Sequence, residues 1–214
     1  MAHIVGIIQV KGGTGKSTLV TNLAGLMSAR KKVALIDCDM PQATSASWAS
    51  IRQDENITIA TAENHIELIA EIERLNDNHD FIVIDAPPRI AEITKVTLML
   101  SQLCLAPLGA SAAEIWATSD LLKIIEAAKV HKPTIDTRIV WNRFRATTNS
   151  AKELSEAAHN ELKLKELKSR LGYRVAYSEA LARGMTASEW PDKKAKNELE
   201  AFSKEIENIL RVKF

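Results

Sequence analysis

The sequence predicts an α/β fold: a mostly parallel sheet flanked by helices on both faces. Three observations carry that expectation. Short apolar runs alternate with longer helical patterns along most of the chain. The run at residues 81–85 is apolar throughout and ends in a carboxylate, as a strand covered on both faces does. The residues with chemical potential fall where such runs end, the place where open parallel sheets bind ligands.

In order, residues 4–10 open the fold as a strand, and a glycine loop leads into an amphipathic stretch over 17–30. Leu19, Val20, Leu23, Ala24, Leu26 and Met27 recur there at helical spacing. Residues 32–37 read as a second strand and 57–60 as a third, with a helix over 43–52 between them. The pattern over 62–76 sets Ile66, Leu68, Ile69, Ile72 and Leu75 on one side of a helix. After the strand at 81–85 come a helix over 91–101, a strand over 103–107, one long helix over 112–130 and a strand over 135–142. Thr147, Thr148, Asn149 and Ser150 signal a loop and a helix start, and 150–171 reads as a charged helix. From Asp192 a final helix carries Leu199, Phe202, Ile206, Ile209 and Leu210 on one face.

At 214 residues the chain can bury one good core, so a single domain over 1–214 is expected, with the helical part from about 150 packed on it. The apolar runs fall short of the roughly 18 to 20 residues that span a bilayer, and the start lacks a secretory pattern, which together point to the cytoplasm. Cys38 and Cys104 lie in apolar runs without ligand spacing and read as buried, reduced thiols. The histidines at 3, 65, 79, 131 and 159 are scattered, which argues against a metal cage of protein ligands. A net charge of +1 means that any nucleic-acid binding must come from local clusters. The four tryptophans, Trp48, Trp116, Trp141 and Trp190, read as packing residues.

Residues 11–18 join a strand to a helix: Lys11, Gly12, Gly13, Thr14, Gly15, Lys16, Ser17, Thr18. Glycines let backbone N–H groups approach phosphate oxygens, and the helix start adds partial positive charge. Lys16 brings a full charge to the β- and γ-phosphates, and the Ser17 hydroxyl suits Mg²⁺. The usual phosphate-loop pattern has glycine where this chain has Val10, and a second lysine stands at Lys11. The segment resembles the deviant Walker A box of the ParA/MinD family of ATPases. The resemblance implies an ATP-dependent homodimer in which Lys11 reaches the partner's nucleotide, and ATP with Mg²⁺ as cofactors.

Asp37-Cys38-Asp39-Met40-Pro41-Gln42 resembles the family's second acidic box, with Met40 inserted before the proline. By that resemblance Asp39 orients the attacking water and Asp37 supports the Mg²⁺ shell or the loop; helix capping is the competing reading. Phe81 through Asp85, then Ala86, Pro87 and Pro88, is similar to a Walker B box, which makes Asp85 a holder of Mg²⁺-bound water. Asn142 ends a strand, and an amide there suits reading an adenine edge or, equally, a turn.

Over nearly its whole length the chain resembles small plasmid-partition ATPases of the ParA/ParF-like kind, including Tyr177 through Ala180 and Gly184 before a lysine-bearing last helix. That implies a dimer on nonspecific DNA and a cargo-bound adaptor protein that stimulates hydrolysis. Lys163, Lys165, Lys168, Arg170 and Arg174, with Lys193, Lys194 and Lys196, are the candidate DNA contacts, although Glu161 and Glu166 interrupt the first cluster as on a solvated helix face. Two other classes remain open. One is a MinD-like ATPase cycling on membrane through the apolar residues of the last helix, which a packed helix explains more simply. The other is a small-molecule kinase or ligase.

Overall fold

A computed structural model of the chain describes residues 1–40, 42–145 and 149–214. Seven strands form one parallel sheet in the order β3-β2-β4-β1-β5-β6-β7. They are β1 His3–Ile7, β2 Val33–Asp37, β3 Ile57–Thr61, β4 Phe81–Asp85, β5 Leu103–Leu108, β6 Thr137–Trp141 and β7 Lys165–Glu166. The helices are α1 Lys16–Ser28, α2 Thr44–Arg52, α3 His65–Leu75, α4 Ala91–Leu100, α5 Ala112–Ala117, α6 Ser119–Lys129, α7 Asn149–Leu162, α8 Val175–Leu181 and α9 Lys193–Leu210. The sequence reading of a parallel sheet with helices on both faces holds.

Side chains alternate across each strand and sort the core into layers. Val5, Ile7, Leu35, Phe81 and Val83 pack with Leu19 and Leu23 of α1 and with Leu199, Phe202 and Ile206 of α9. Ile4, Ile36, Ile82 and Ile84 face the other way, onto Leu68 and Ile72 of α3 and Ile93 of α4. Cys104, Ala106 and Ile139 meet Leu98 of α4 and Leu121 and Ile125 of α6. Each such side chain taken fully from water contributes about 1.5–3 kcal/mol. Helix α4 lies so close to β1 that a Cβ on Gly6 would sit 2.3 Å from Thr97 Cγ2. Register sets the site: Asp37 pairs with Asp85, and Asp85 with Ile7, so the ends of β2, β4 and β1 are level.

Two helix assignments differ from the sequence reading. The long helix expected over 112–130 is divided at Thr118 into α5 and α6. The Thr118 hydroxyl donates to Glu114 O at 2.8 Å, competing for the carbonyl of the preceding turn, and accepts from buried Gln9 at 3.2 Å. The charged helix expected over 150–171 ends at Leu162. Lys163 takes a left-handed φ of 50° and the chain leaves as β7, parallel to β6. The apolar–polar alternation of Leu162, Lys163, Leu164 and Lys165 is a period-two signal that outweighs the surrounding charge. Of the loop signal at 147–150, Thr147 and Thr148 lie outside the described residues, and α7 begins at Asn149. Helix α8 appears in a stretch for which the sequence reading named no element.

Asp192 caps α9 by accepting from the Lys194 and Ala195 N–H groups. Beyond α9 the Phe214 ring, 9% exposed, meets Phe81 edge-on at 5.4 Å. No helix among the described residues is long and apolar enough to cross a membrane.

Candidate nucleotide-binding site

From β1 the chain turns through a glycine loop into α1. Gly13 and Gly15 have φ of 75° and 95°, where a side chain is strained. At Gly15 a Cβ would also lie 2.0 Å from Asn142 Nδ2. At Gly12 and Gly13 a Cβ would meet nothing within 4 Å, so the loop backbone borders open space. Gly15 caps α1 with no side-chain acceptor, which leaves the partial positive charge of the helix start for an anion. Lys16 is only 5% exposed. Burial lowers its ammonium pKa, while Asp85 and Asp39 pull it up.

Asp37 and Asp85 are fully buried at the ends of their strands. Asp37 uses both oxygens on backbone, accepting from Asp39 N–H at 3.0 Å and from Ala46 N–H at 2.9 Å. It thereby caps α2 from outside, since the N-cap residue Ala43 has no side-chain bond to offer. Asp85 Oδ2 accepts from Ser45 Oγ at 2.6 Å. Burial drives the Asp85 carboxyl up to about 7, with Ser45, Ser17 and Lys16 opposing and Asp37 adding to the rise.

Asp85 Oδ1 and Thr14 Oγ1 are buried without a hydrogen-bond partner among the described residues. Such orphans are costly unless a ligand completes them. With Lys16 and the open glycine backbone beside them, this donor and acceptor set fits a triphosphate with its divalent ion. No group of three or more His, Cys, Asp or Glu among the described residues could hold a metal alone. An ion here would take most of its ligands from phosphate and water, as Mg²⁺ prefers.

Asp39 is half-buried, and its carboxyl is raised by burial against the pull of Lys16, with Asp37 adding to the rise. Met40 is exposed, and Ala43 N–H donates to Asp39 O at 2.9 Å. Ala43 has a left-handed φ of 44°. Pro41 lies outside the described residues. Lys11 is half-buried and lines a cavity of about 430 Å³ with Arg89 and Asp120.

Asn142, 3% exposed, braces the glycine loop, its Nδ2 donating to Thr14 O at 2.8 Å and its Oδ1 accepting from Arg143 N–H at 3.0 Å. Arg143 adds a second brace, donating to Gly13 O at 2.8 Å. An amide used once at each end keeps one N–H and one lone pair. Beside it lies a cavity of about 290 Å³, bordered by Thr18, Asn142, Gly172, Tyr173 and Tyr177.

The sequence-selected residues thus divide. The structure gathers Thr14, Gly15, Lys16, Asp37, Asp39, Asp85 and Asn142 through the contacts above; Gly12, Gly13, Ser17 and Thr18 belong to the same loop and helix start, and Lys11 sits at its shoulder. Of the basic candidates, Lys163, Lys165, Lys168, Lys193, Lys194 and Lys196 are exposed. Arg174 instead pairs with Glu198 at 2.6 Å, and the Arg170 guanidinium lies 4.5 Å over the Phe144 ring. Trp48 and Trp141 are core residues, but Trp116 is 65% exposed, against its expected packing role. Sequence reading missed Ser45, Arg143 and Glu198, which act through tertiary approach and belong to no motif.

Residues 5–187 match the CbiA family, described as the CobQ/CobB/MinD/ParA nucleotide binding domain. The chain is 24% identical over 188 residues to the maintenance of carboxysome distribution protein A of Halothiobacillus neapolitanus, covering 86% of each chain. It is 25% identical to the sporulation initiation inhibitor protein Soj of Bacillus subtilis, covering 86% of this chain and 89% of that one. Among solved structures, Cyanothece apo McdA superposes with a TM-score of 0.81 at 18% identity, over 96% of this chain and all of the other. The chain belongs to the CobQ/CobB/MinD/ParA nucleotide-binding family, as a deviant-Walker ATPase of the ParA/MinD kind.

Proposed function

We propose that this protein is a positioning ATPase: Mg-ATP assembles a dimer on nonspecific DNA, and a cargo-bound partner protein stimulates hydrolysis and releases it. The observation that carries this reading is the division of labour between two lysines of one loop. Lys16 is buried against Asp85 and Asp39, while Lys11 stays half-exposed at the rim, where a second protomer can reach it. The name of one relative, concerned with maintaining carboxysome distribution, points the same way.

In this reading Lys16 and the loop N–H groups from Gly12 to Thr18 bind the phosphates. Ser17 and Asp85 would hold the metal, with Ser45 orienting Asp85. Asp37 fixes the loop that carries Asp39, and Asp39 orients water for attack. Bound Mg²⁺ supplies charge neutralisation to the phosphate chain. The cavity beside Thr18 and Asn142 takes the base, with the spare N–H and lone pair of Asn142 turned to its edge. The DNA contacts are Lys163, Lys165 and Lys168 with Lys193, Lys194 and Lys196. A membrane-tethered cycle finds little support: Leu199, Phe202 and Ile206 are wholly buried, and Ile209 and Leu210 pack against the same core.

The test is fluorescence anisotropy on DNA of arbitrary sequence with ATP, ADP or no nucleotide, across a salt series. Binding that needs ATP, ignores sequence and weakens with salt supports the proposal. Absence of DNA binding in every nucleotide state rejects the DNA track.

A further inference from the structure

We infer that Glu198 of α9 is a positioning residue for the nucleoside end of the site: it builds the outer wall of the cavity beside Thr18 and Asn142. The inference rests on the reading of that cavity as the base pocket.

The wall is a return segment, residues 172–174, that runs from the bridge of Gly172 to Phe144 to the start of α8 at Val175, with Tyr177 in the first turn of that helix. Beyond the Tyr173 N–H bond to Phe144 O at 3.1 Å, the segment takes its shape from a side-chain anchor. One carboxylate provides it. Glu198 Oε2 accepts from Gly172 N–H at 3.0 Å and from Tyr177 Oη at 2.9 Å, and Oε1 accepts from Arg174 Nε at 3.0 Å and from its terminal NH2 group at 2.6 Å. Four donors nearly fill the lone pairs of a carboxylate. The approach is tight: a Cβ on Gly172 would come within 2.9 Å of Glu198 Oε1.

The anchor is rigid because α9 is rooted in the core by Leu199, Phe202 and Ile206, each 0% exposed. Two turns further along, Glu205 accepts from the Lys168 and Ser169 N–H groups at 2.8 Å each. One helix thus clamps the chain between Lys168 and Tyr177 at two points. Only the Glu198 clamp touches cavity-lining residues, Gly172, Arg174 and Tyr177. A purely stabilising glutamate would affect every ligand of the site alike. A wall-building one affects the part of the ligand that reaches the wall.

That contrast sets the experiment, on the full chain with Mg²⁺, with affinities for ATP and for inorganic tripolyphosphate measured by calorimetry. Wild type is expected to bind ATP well above tripolyphosphate. Glu198→Gln should lower ATP affinity by about ten-fold and leave tripolyphosphate affinity unchanged. Glu198→Asp, which keeps the charge, and Tyr177→Phe, which removes one donor, should give smaller losses of the same selectivity. They also carry the comparison should Glu198→Gln fail to fold by circular dichroism. If wild type prefers ATP and the variants lose affinity for both ligands equally, or for neither, the positioning role is overturned. If wild type binds tripolyphosphate as tightly as ATP, the base-pocket reading fails, and the inference falls with it.

Discussion

Ser45 donates to one oxygen of Asp85, and the other has no hydrogen-bond partner among the described residues. Ser45→Ala removes the partner of a buried carboxylate and should cost about 1–3 kcal/mol of stability, read by urea unfolding. It should also reduce the gain in nucleotide affinity on adding Mg²⁺, while affinity in chelator stays as it was; an unchanged Mg²⁺ gain would show that Ser45 does not orient Asp85. Lys16→Ala should weaken ATP binding by at least about a hundred-fold, because it removes a buried charge from the phosphates. Calorimetry reporting wild-type affinity would sink the phosphate-loop assignment. Asp39→Ala should hold nucleotide as ATP with little turnover, and normal turnover would move the water-orienting duty to another group. Lys16, Asp39 and Asp85 could be picked out as candidates because motifs place such residues at short spacings after strands. Ser45 meets Asp85 across 40 residues, and Arg143 meets Gly13 across 130. No local pattern encodes such meetings.

Helix α2 illustrates how an element is fastened at both ends. Its start is held by Asp37 and Asp85, and its last residue, Arg52, donates to Asp54, to Gly184 O and to Glu189. Burial opposes ionisation of both carboxyls, yet hydrogen bonds from Ser28, the Asn56 N–H and Arg52 hold Asp54 below the usual range. Arg52 and Thr186 do the same for Glu189. Depressed values mean stabilisation that is present above the unfolded pKa and lost as pH falls through the folded one. Arg52→Ala should therefore cost about 1–2 kcal/mol at pH 7, discounted because Glu189 is partly exposed. Its deficit against wild type should begin to shrink below about pH 4, the ordinary carboxylate range, and fade as pH falls through the depressed folded values. Urea midpoints at the two pH values check this, and a constant deficit would place the effect in packing alone. Elements with helical spacing or an unbroken apolar run were readable, as α1 and β4 were. The break at Thr118 was not, since it depends on Gln9, distant in sequence. The end of α7 was written in an alternation that the surrounding charge obscured.

On the scale of the whole molecule, the parallel sheet was foreseeable from fully apolar runs, but its order was not. That β1 lies between β4 and β5 follows from crossover packing, where α4 needs a glycine at position 6 to approach. Assembly is the matching prediction. Lys11→Ala should keep ATP affinity of the monomer within a few-fold yet abolish the ATP-dependent dimer in sedimentation. A dimer of undiminished strength would deny Lys11 a role across the interface.

The chain's only two thiols, Cys38 and Cys104, are each 1% exposed. Cys38 lies at the mouth of the site between Asp37 and Asp39, and Cys104 pairs with Gly6 at the middle of the sheet. Burial raises both thiols, Cys104 to about 12, so neither is nucleophilic at neutral pH while the fold is closed. Alkylation of either one therefore times an opening event. The molecule carries two native stopwatches, one on the catalytic mouth and one on the heart of the sheet. Whether nucleotide slows the first while leaving the second unchanged can be read from peptide masses, with no label engineered into the protein.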